Sequence, residues 1–170
     1  PITDGPHTTP ELFDEGIAFV SAEAVSCGNG NIDFTHIRGY ISNEFYNECC
    51  KKYIPQLDDI YMIKSGATTG KVSIVSTLIP KFTIWSPLAV LRIDKKKGCA
   101  KYLFYALQTI NFQKQIALNW SYGTQQNLGM RTLEQLILPV PSLEEQQQIA
   151  DYLDKKCAKI DKLVSIKEQK

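Results

Sequence analysis

Up to residue 98 the apolar positions fall in short β-branched and aromatic runs separated by Gly, Pro, Asn and Asp, the pattern of strands joined by loops. The runs Ile17–Val20, Ile32–Phe34, Ile37–Ile41, Asp59–Ile63, Lys71–Ser76 and Leu88–Ile93 are the predicted strands. One short helix interrupts them, with Ser42 as N-cap and Glu44 in its first turn, running to about Lys51. After Gly98 the period lengthens. Tyr102, Leu103, Tyr105, Ala106, Leu107, Ile110, Phe112 and Ile116 place an apolar stripe on one helix of roughly twenty residues, suited to covering a face of the sheet. A polar loop, 121–127, follows, and Leu136–Pro141 reads as an edge strand stopped by proline.

Ser142 opens a final helix through a capping box, with Glu145 three residues on able to reach back to the free amides. In that helix Ile149, Leu153, Lys156, Ile160, Leu163 and Lys167 recur at alternating steps of four and three, a coiled-coil seam with polar interruptions. A helix this polar needs a partner helix, from another chain or from a missing part of this one, or else lies solvated on its own domain. The expected fold class is α+β. A mixed, strand-rich domain over 1–141 is followed by a long coiled-coil helix over 142–170.

With 170 residues, 44% of them hydrophobic, the chain is long enough to bury one sizeable core. Its apolar runs stay below the roughly 18 to 20 residues of a membrane span, and nothing at Pro1 resembles a signal peptide, so a soluble cytoplasmic protein with no membrane partner is expected. The chain opens in mid-motif at Pro1, and is read as a piece of a longer parent. Five cysteines (Cys27, Cys49, Cys50, Cys99 and Cys157), none spaced as C-x-x-C, argue against a disulfide framework and a zinc site. His7 and His36 lack an acidic ligand cluster between them, so no metal and no cofactor is expected.

A net charge of +1 conceals an asymmetry: residues 1–59 carry −7, 60–140 carry +8, and 141–170 balance. The middle segment is either a surface for a polyanion or the electrostatic complement of the first. Ser65-Gly66-Ala67-Thr68-Thr69-Gly70-Lys71 invites a phosphate-loop reading, but only three residues separate its glycines and Val72 follows the Lys. It reads instead as a tight hairpin-like turn, either ordinary or able to approach a nucleic-acid backbone. The amides within Tyr122–Asn127 offer the donor–acceptor pair that reads adenine in a major groove, or belong to a solvated connection. Asp4, Glu11, Asp14, Glu15 and His7 form no recognisable catalytic arrangement, and no adenosyl or dinucleotide fingerprint is present.

Taken in order, Ile2-Thr3-Asp4-Gly5-Pro6-His7-Thr8-Thr9-Pro10, Gly16-Ile17-Ala18-Phe19-Val20-Ser21-Ala22-Glu23, Asp59-Ile60 leading to Ser65–Val72, Gly123-Thr124-Gln125-Gln126-Asn127, and Leu138-Pro139-Val140-Pro141-Ser142-Leu143-Glu144-Glu145-Gln146-Gln147-Gln148-Ile149-Ala150 resemble the specificity subunit of type I restriction-modification enzymes. The resemblance implies one target recognition domain and one of the long helices that separate such domains, where a full subunit carries two of each. It implies an α+β domain like the DNA-recognition domain of some adenine-N6 methyltransferases, without catalytic residues. The implied partners are double-stranded DNA, methyltransferase subunits, restriction subunits, and a second copy or second half paired through residues 142–170. This sequence departs from the family in having Asp58-Asp59 for the usual Gly-Asp and Trp85-Ser86 for an expected Asn-Gln, and it lacks the strand that usually precedes the Thr-Asp-Gly segment.

On that reading Lys64, Lys71, Arg92 and Lys101 attract phosphates. Base reading falls to three loops: Thr3 to Thr9, with Thr3, His7, Thr8 and Thr9; the turn with Ser65, Thr68, Thr69 and Lys71; and the loop with Tyr122, Thr124, Gln125, Gln126 and Asn127. Gln125 and Gln126 are the expected contacts to base edges. The competing class is an oligomerisation or adaptor protein acting through the terminal helix. A nuclease or phosphotransferase reading has only the near-miss Gly turn and Glu168-x-Lys170 behind it.

Overall fold

The computed structural model describes residues 1–122 and 126–168. Strand β1 (Ile2–Asp4) lies at the edge of a four-stranded antiparallel sheet in the order β1, β7 (Leu88–Leu91), β4 (Ile60–Ile63), β5 (Val72–Ile74). A second sheet has the order β3 (Tyr40–Ile41), β2 (Ile17–Val20), β6 (Phe82–Ile84), with β2 and β6 parallel. β4 and β7 are buried on both faces, which is why they read as unbroken apolar runs. Alternation along β4 divides the core in two. Tyr61 and Ile63 join Ala18, Val20, Phe82 and Ile84 of the second sheet, while Ile60 and Met62 face Leu107, Phe112, Ile116 and Leu133 of the helices.

Several elements differ from the sequence expectation. The run 32–34 forms no strand: Asp33 accepts from the amide of Thr35 and opens a 3-10 turn, Phe34–His36. The single helix expected after Gly98 is two, α3 (Ala100–Leu107) and α4 (Ile110–Asn119). Thr109 breaks it, donating its hydroxyl to the Ala106 carbonyl and capping the amide of Phe112, the local competition that favours Thr at helix ends. Leu136–Pro141 pairs with no strand; Ile137 instead exchanges hydrogen bonds with the Gln115 side-chain amide, and Pro139 and Pro141 have no N–H to offer a ladder. Short elements were missed where the apolar run is three residues or a small helix: β1, β6, α1 (Ala22–Cys27) and α5 (Met130–Gln135).

The helix opened at Ser42 is α2 (Asn43–Lys52), its cap accepting from the amide of Phe45. The terminal helix, α6 (Leu143–Glu168), starts where Ser142 accepts from the amide of Glu145. Its first half docks on its own domain: Gln146 and Ala150 are buried, and Asp154 accepts from Lys101 and from the Tyr105 hydroxyl of α3. Further on, Ile160 is 57% and Leu163 59% exposed, so the seam expected of Ile149, Leu153, Lys156, Ile160, Leu163 and Lys167 is half docked and half open.

Candidate nucleic-acid interface

β1, β4 and β6 all end at one edge of the molecule. Register sets them level there: Asp4 lies opposite Ala89, Ile63 opposite Leu88, and Ile84 opposite Val20. Three connections leave this edge, the segment after Asp4, the turn after Ile63, and Trp85-Ser86-Pro87 between the two sheets. Gly5 lies so close to the last that a Cβ there would sit 2.6 Å from the Ile84 carbonyl oxygen and the Trp85 carbonyl carbon, so no larger residue fits.

Lys64 ties these connections together. Its amide donates to the Pro87 carbonyl (2.7 Å), its carbonyl accepts from the Leu128 amide (2.7 Å), and its Nζ donates to Asp4 Oδ2 (2.7 Å). The Gly66 amide donates to the Gln126 carbonyl (3.0 Å), and Ser65 bridges Asn127. The hairpin β8 (Ser121–Tyr122) and β9 (Gln126–Asn127) is thereby laid against the Gly turn. Three loops that are distant in sequence meet on one surface.

The turn itself is a β-hairpin between β4 and β5. Gly70 donates to the Ile63 carbonyl (2.8 Å) and holds φ +93°. A strand rather than a helix follows, so the dipole that a phosphate loop exploits is absent from this turn. The Thr69 hydroxyl is committed to the Gly66 carbonyl, Ser65 and Thr68 are half-buried, and Lys71 is exposed. His7 stands 74% exposed with Nε2 at 3.3 Å from Asp4 Oδ2, beside exposed Thr8 and Thr9. Gln126 is half-buried and Asn127 exposed. Thr124 and Gln125 lie outside the described residues, as does the side chain of Tyr122.

Four expected residues sit otherwise than as free contacts at this edge. Thr3 is within β1, opposite Val90, rather than in the loop. Lys64 is 7% exposed and paired with Asp4, which also accepts from Lys52 (2.5 Å). Burial works to raise the Asp4 pKa, but the hydrogen bonds and charges of Lys52 and Lys64 outweigh it and hold the carboxyl below its ordinary range. Arg92 lies beyond the far end of β7, its Nε 2.6 Å and an Nη 2.7 Å from the oxygens of fully buried Asp59, which also accepts from the Tyr53 hydroxyl and the Gln56 amide. Lys101 donates to Asp154 and fastens α3 to α6. The hydrogen bonds to Asp59 and Asp154 raise the pKa of Arg92 and Lys101 respectively. Charge count alone treats every cation as available; these three answer carboxylates brought in by the fold.

Sequence reasoning passed over Arg38 and Trp85, which also stand at this edge. The Arg38 guanidinium carbon lies 3.9 Å from the centroid of the Trp85 ring. No spacing in the sequence pairs residues that flank separate strands, and Trp85 was legible only as a departure from the pattern of the resemblance. Among the described residues no group of three or more His, Cys, Asp and Glu is placed to hold a metal ion, and no helix is long and apolar enough to cross a membrane.

Residues 13–169 match the family model for the type I restriction modification DNA specificity domain, and the chain belongs to that family. The fold is shared with solved structures. One is the crystal structure of a type I restriction-modification system S subunit from M. genitalium, 19% identical with a TM-score of 0.64, over 97% of this chain and 38% of that one. Another, from work on complex assembly and conformational transition of the type I R-M system, is 21% identical with a TM-score of 0.64, over 95% of this chain and 37% of that one. The chain thus spans well under half the length of these relatives.

Proposed function

We propose that residues 1–141 recognise one half of a bipartite DNA site and that the helix over 142–170 sets its distance from the other half. The reading is carried by the convergence on Lys64 of the Asp4–Thr9 segment, the Gly turn and the 121–127 loop at one edge. Lys71 attracts phosphate there, His7, Thr8, Thr9, Ser65 and Thr68 line the approach, and the side chains of Tyr122, Thr124, Gln125, Gln126 and Asn127 are the base readers. The chain works in the cytoplasm, without catalytic groups or cofactor of its own, and delivers its half-site to separate methyltransferase and restriction subunits. The open half of α6 pairs with a second copy or a second half, which supplies the other half-site.

The test is the salt dependence of duplex binding by the whole chain. Affinity falls about 3- to 4-fold between 50 and 200 mM salt for each phosphate neutralised. Binding that is absent at low salt, or indifferent to salt, contradicts the proposal.

A further inference from the structure

The Arg38 side chain differs from the other arginine and lysines weighed above in having a platform and no counter-charge. Its amide donates to the Phe19 carbonyl (3.1 Å), and Phe19 in turn donates to the Gly39 carbonyl (2.9 Å), so the backbone on both sides of the side chain is pinned to β2. That pairing places Arg38 at the end of β2 that is level with Ile84, hence at the edge where the recognition loops gather. The side chain is exposed, and among the described residues no carboxylate lies within ion-pair distance of it.

Trp85 is an expensive choice for its place. Its ring packs on Phe19 (centroids 6.4 Å apart) and its indole Nε1 is buried with no acceptor among the described residues. A Phe fills such a site without leaving a donor unsatisfied. What the indole adds is the strongest face for a cation, and it places that face under the Arg38 guanidinium. A guanidinium held over the ring keeps N–H donors for a planar bidentate acceptor, which its fork suits better than a lone charge does.

We propose, building on the DNA-reading function above, that Arg38 is a specificity-determining residue that reads a guanine through its O6 and N7, with Trp85 as the residue that positions it. A guanidinium matches the two acceptors of a guanine in the major groove, and a bidentate phosphate contact is the alternative that the test separates from it.

The test maps N6-methyladenine in cells expressing the chain with its methyltransferase subunits, for the natural sequence and for Arg38→Lys, Arg38→Ala and Trp85→Phe. The expected result is a motif in which one G·C pair loses about 10- to 100-fold of its discrimination in both Arg38 variants and part of it in Trp85→Phe, all other positions holding. Arg38→Lys keeps the charge, and a thermal melt matching the natural chain confirms that it folds. A motif unchanged in every variant overturns the proposal, as does uniformly weaker or abolished methylation at all sites, the mark of a phosphate contact. If the natural chain directs no motif at all, the DNA-reading function falls and this proposal with it.

Discussion

Lys64 and Asp4 are 60 residues apart in the chain, yet Nζ donates to Oδ2 across 2.7 Å inside the edge from which the candidate DNA-reading loops project. The pair is a strut between the first strand and the Gly turn. Its cation is spent on the fold, while Lys71 at the end of the same turn is exposed.

The two lysines therefore separate by experiment. Lys71→Ala leaves the melting temperature unchanged, weakens binding to all duplexes alike and reduces the slope of log affinity against log salt by about 1. Lys64→Met leaves Asp4 with Lys52 and His7 alone and lowers stability by about 1–3 kcal/mol in a urea titration. A Lys64→Met chain that melts normally contradicts the strut.

Acid should loosen the same edge. Because the folded-state pKa of Asp4 is depressed, its stabilising contribution is complete above the ordinary carboxylate pKa of about 4 and is lost as pH falls through its lower folded value. Asp154, whose burial is likewise outweighed by its bonds to Lys101 and Tyr105, adds in the same direction. Unfolding free energy measured from pH 6 to pH 2 is expected to decline most steeply below about pH 4, and less steeply in Asp4→Asn.

Asp58 holds φ +71°, a left-handed conformation that a glycine adopts without penalty. Its ion pair with Lys95 is exposed and worth little. Asp58→Gly is expected to raise stability by about 0.5–1 kcal/mol, read as a melting temperature higher by about 1–4 °C.

Gln146 is 2% exposed, accepting from the Cys99 amide at the start of α3 (3.0 Å) and donating to the Pro141 carbonyl (2.9 Å). Gln146→Ala strands both groups at a cost of about 1–3 kcal/mol. Hydrogen exchange should quicken over residues 143–157, where α6 docks, and stay as it was over 162–167, where the side chains are exposed.

The long apolar runs were legible because burial on both faces writes itself as continuous hydrophobicity: Ile60–Ile63 and Leu88–Leu91 are central strands and read as strands. The caps at Ser42 and Ser142 were legible because their chemistry is local. Thr109 was passed over because the apolar stripe continues across it. At the candidate site the three loops were named from the sequence, but their meeting was not, since it depends on backbone bonds between Lys64, Pro87 and Leu128 that no spacing announces. The ion pairs of Lys64, Arg92 and Lys101 were hidden for the same reason: whether a cation is free is decided by which carboxylate the fold brings to it.

The most direct test of the account is selection by the whole chain from a pool of random DNA duplexes, run in parallel with a Gln126→Ala, Asn127→Ala double variant. The natural chain is expected to enrich a short motif and the variant one relaxed at one or two positions, by about 1–3 kcal/mol of discrimination each. No enriched motif for the natural chain, or an identical motif for the variant, would contradict it.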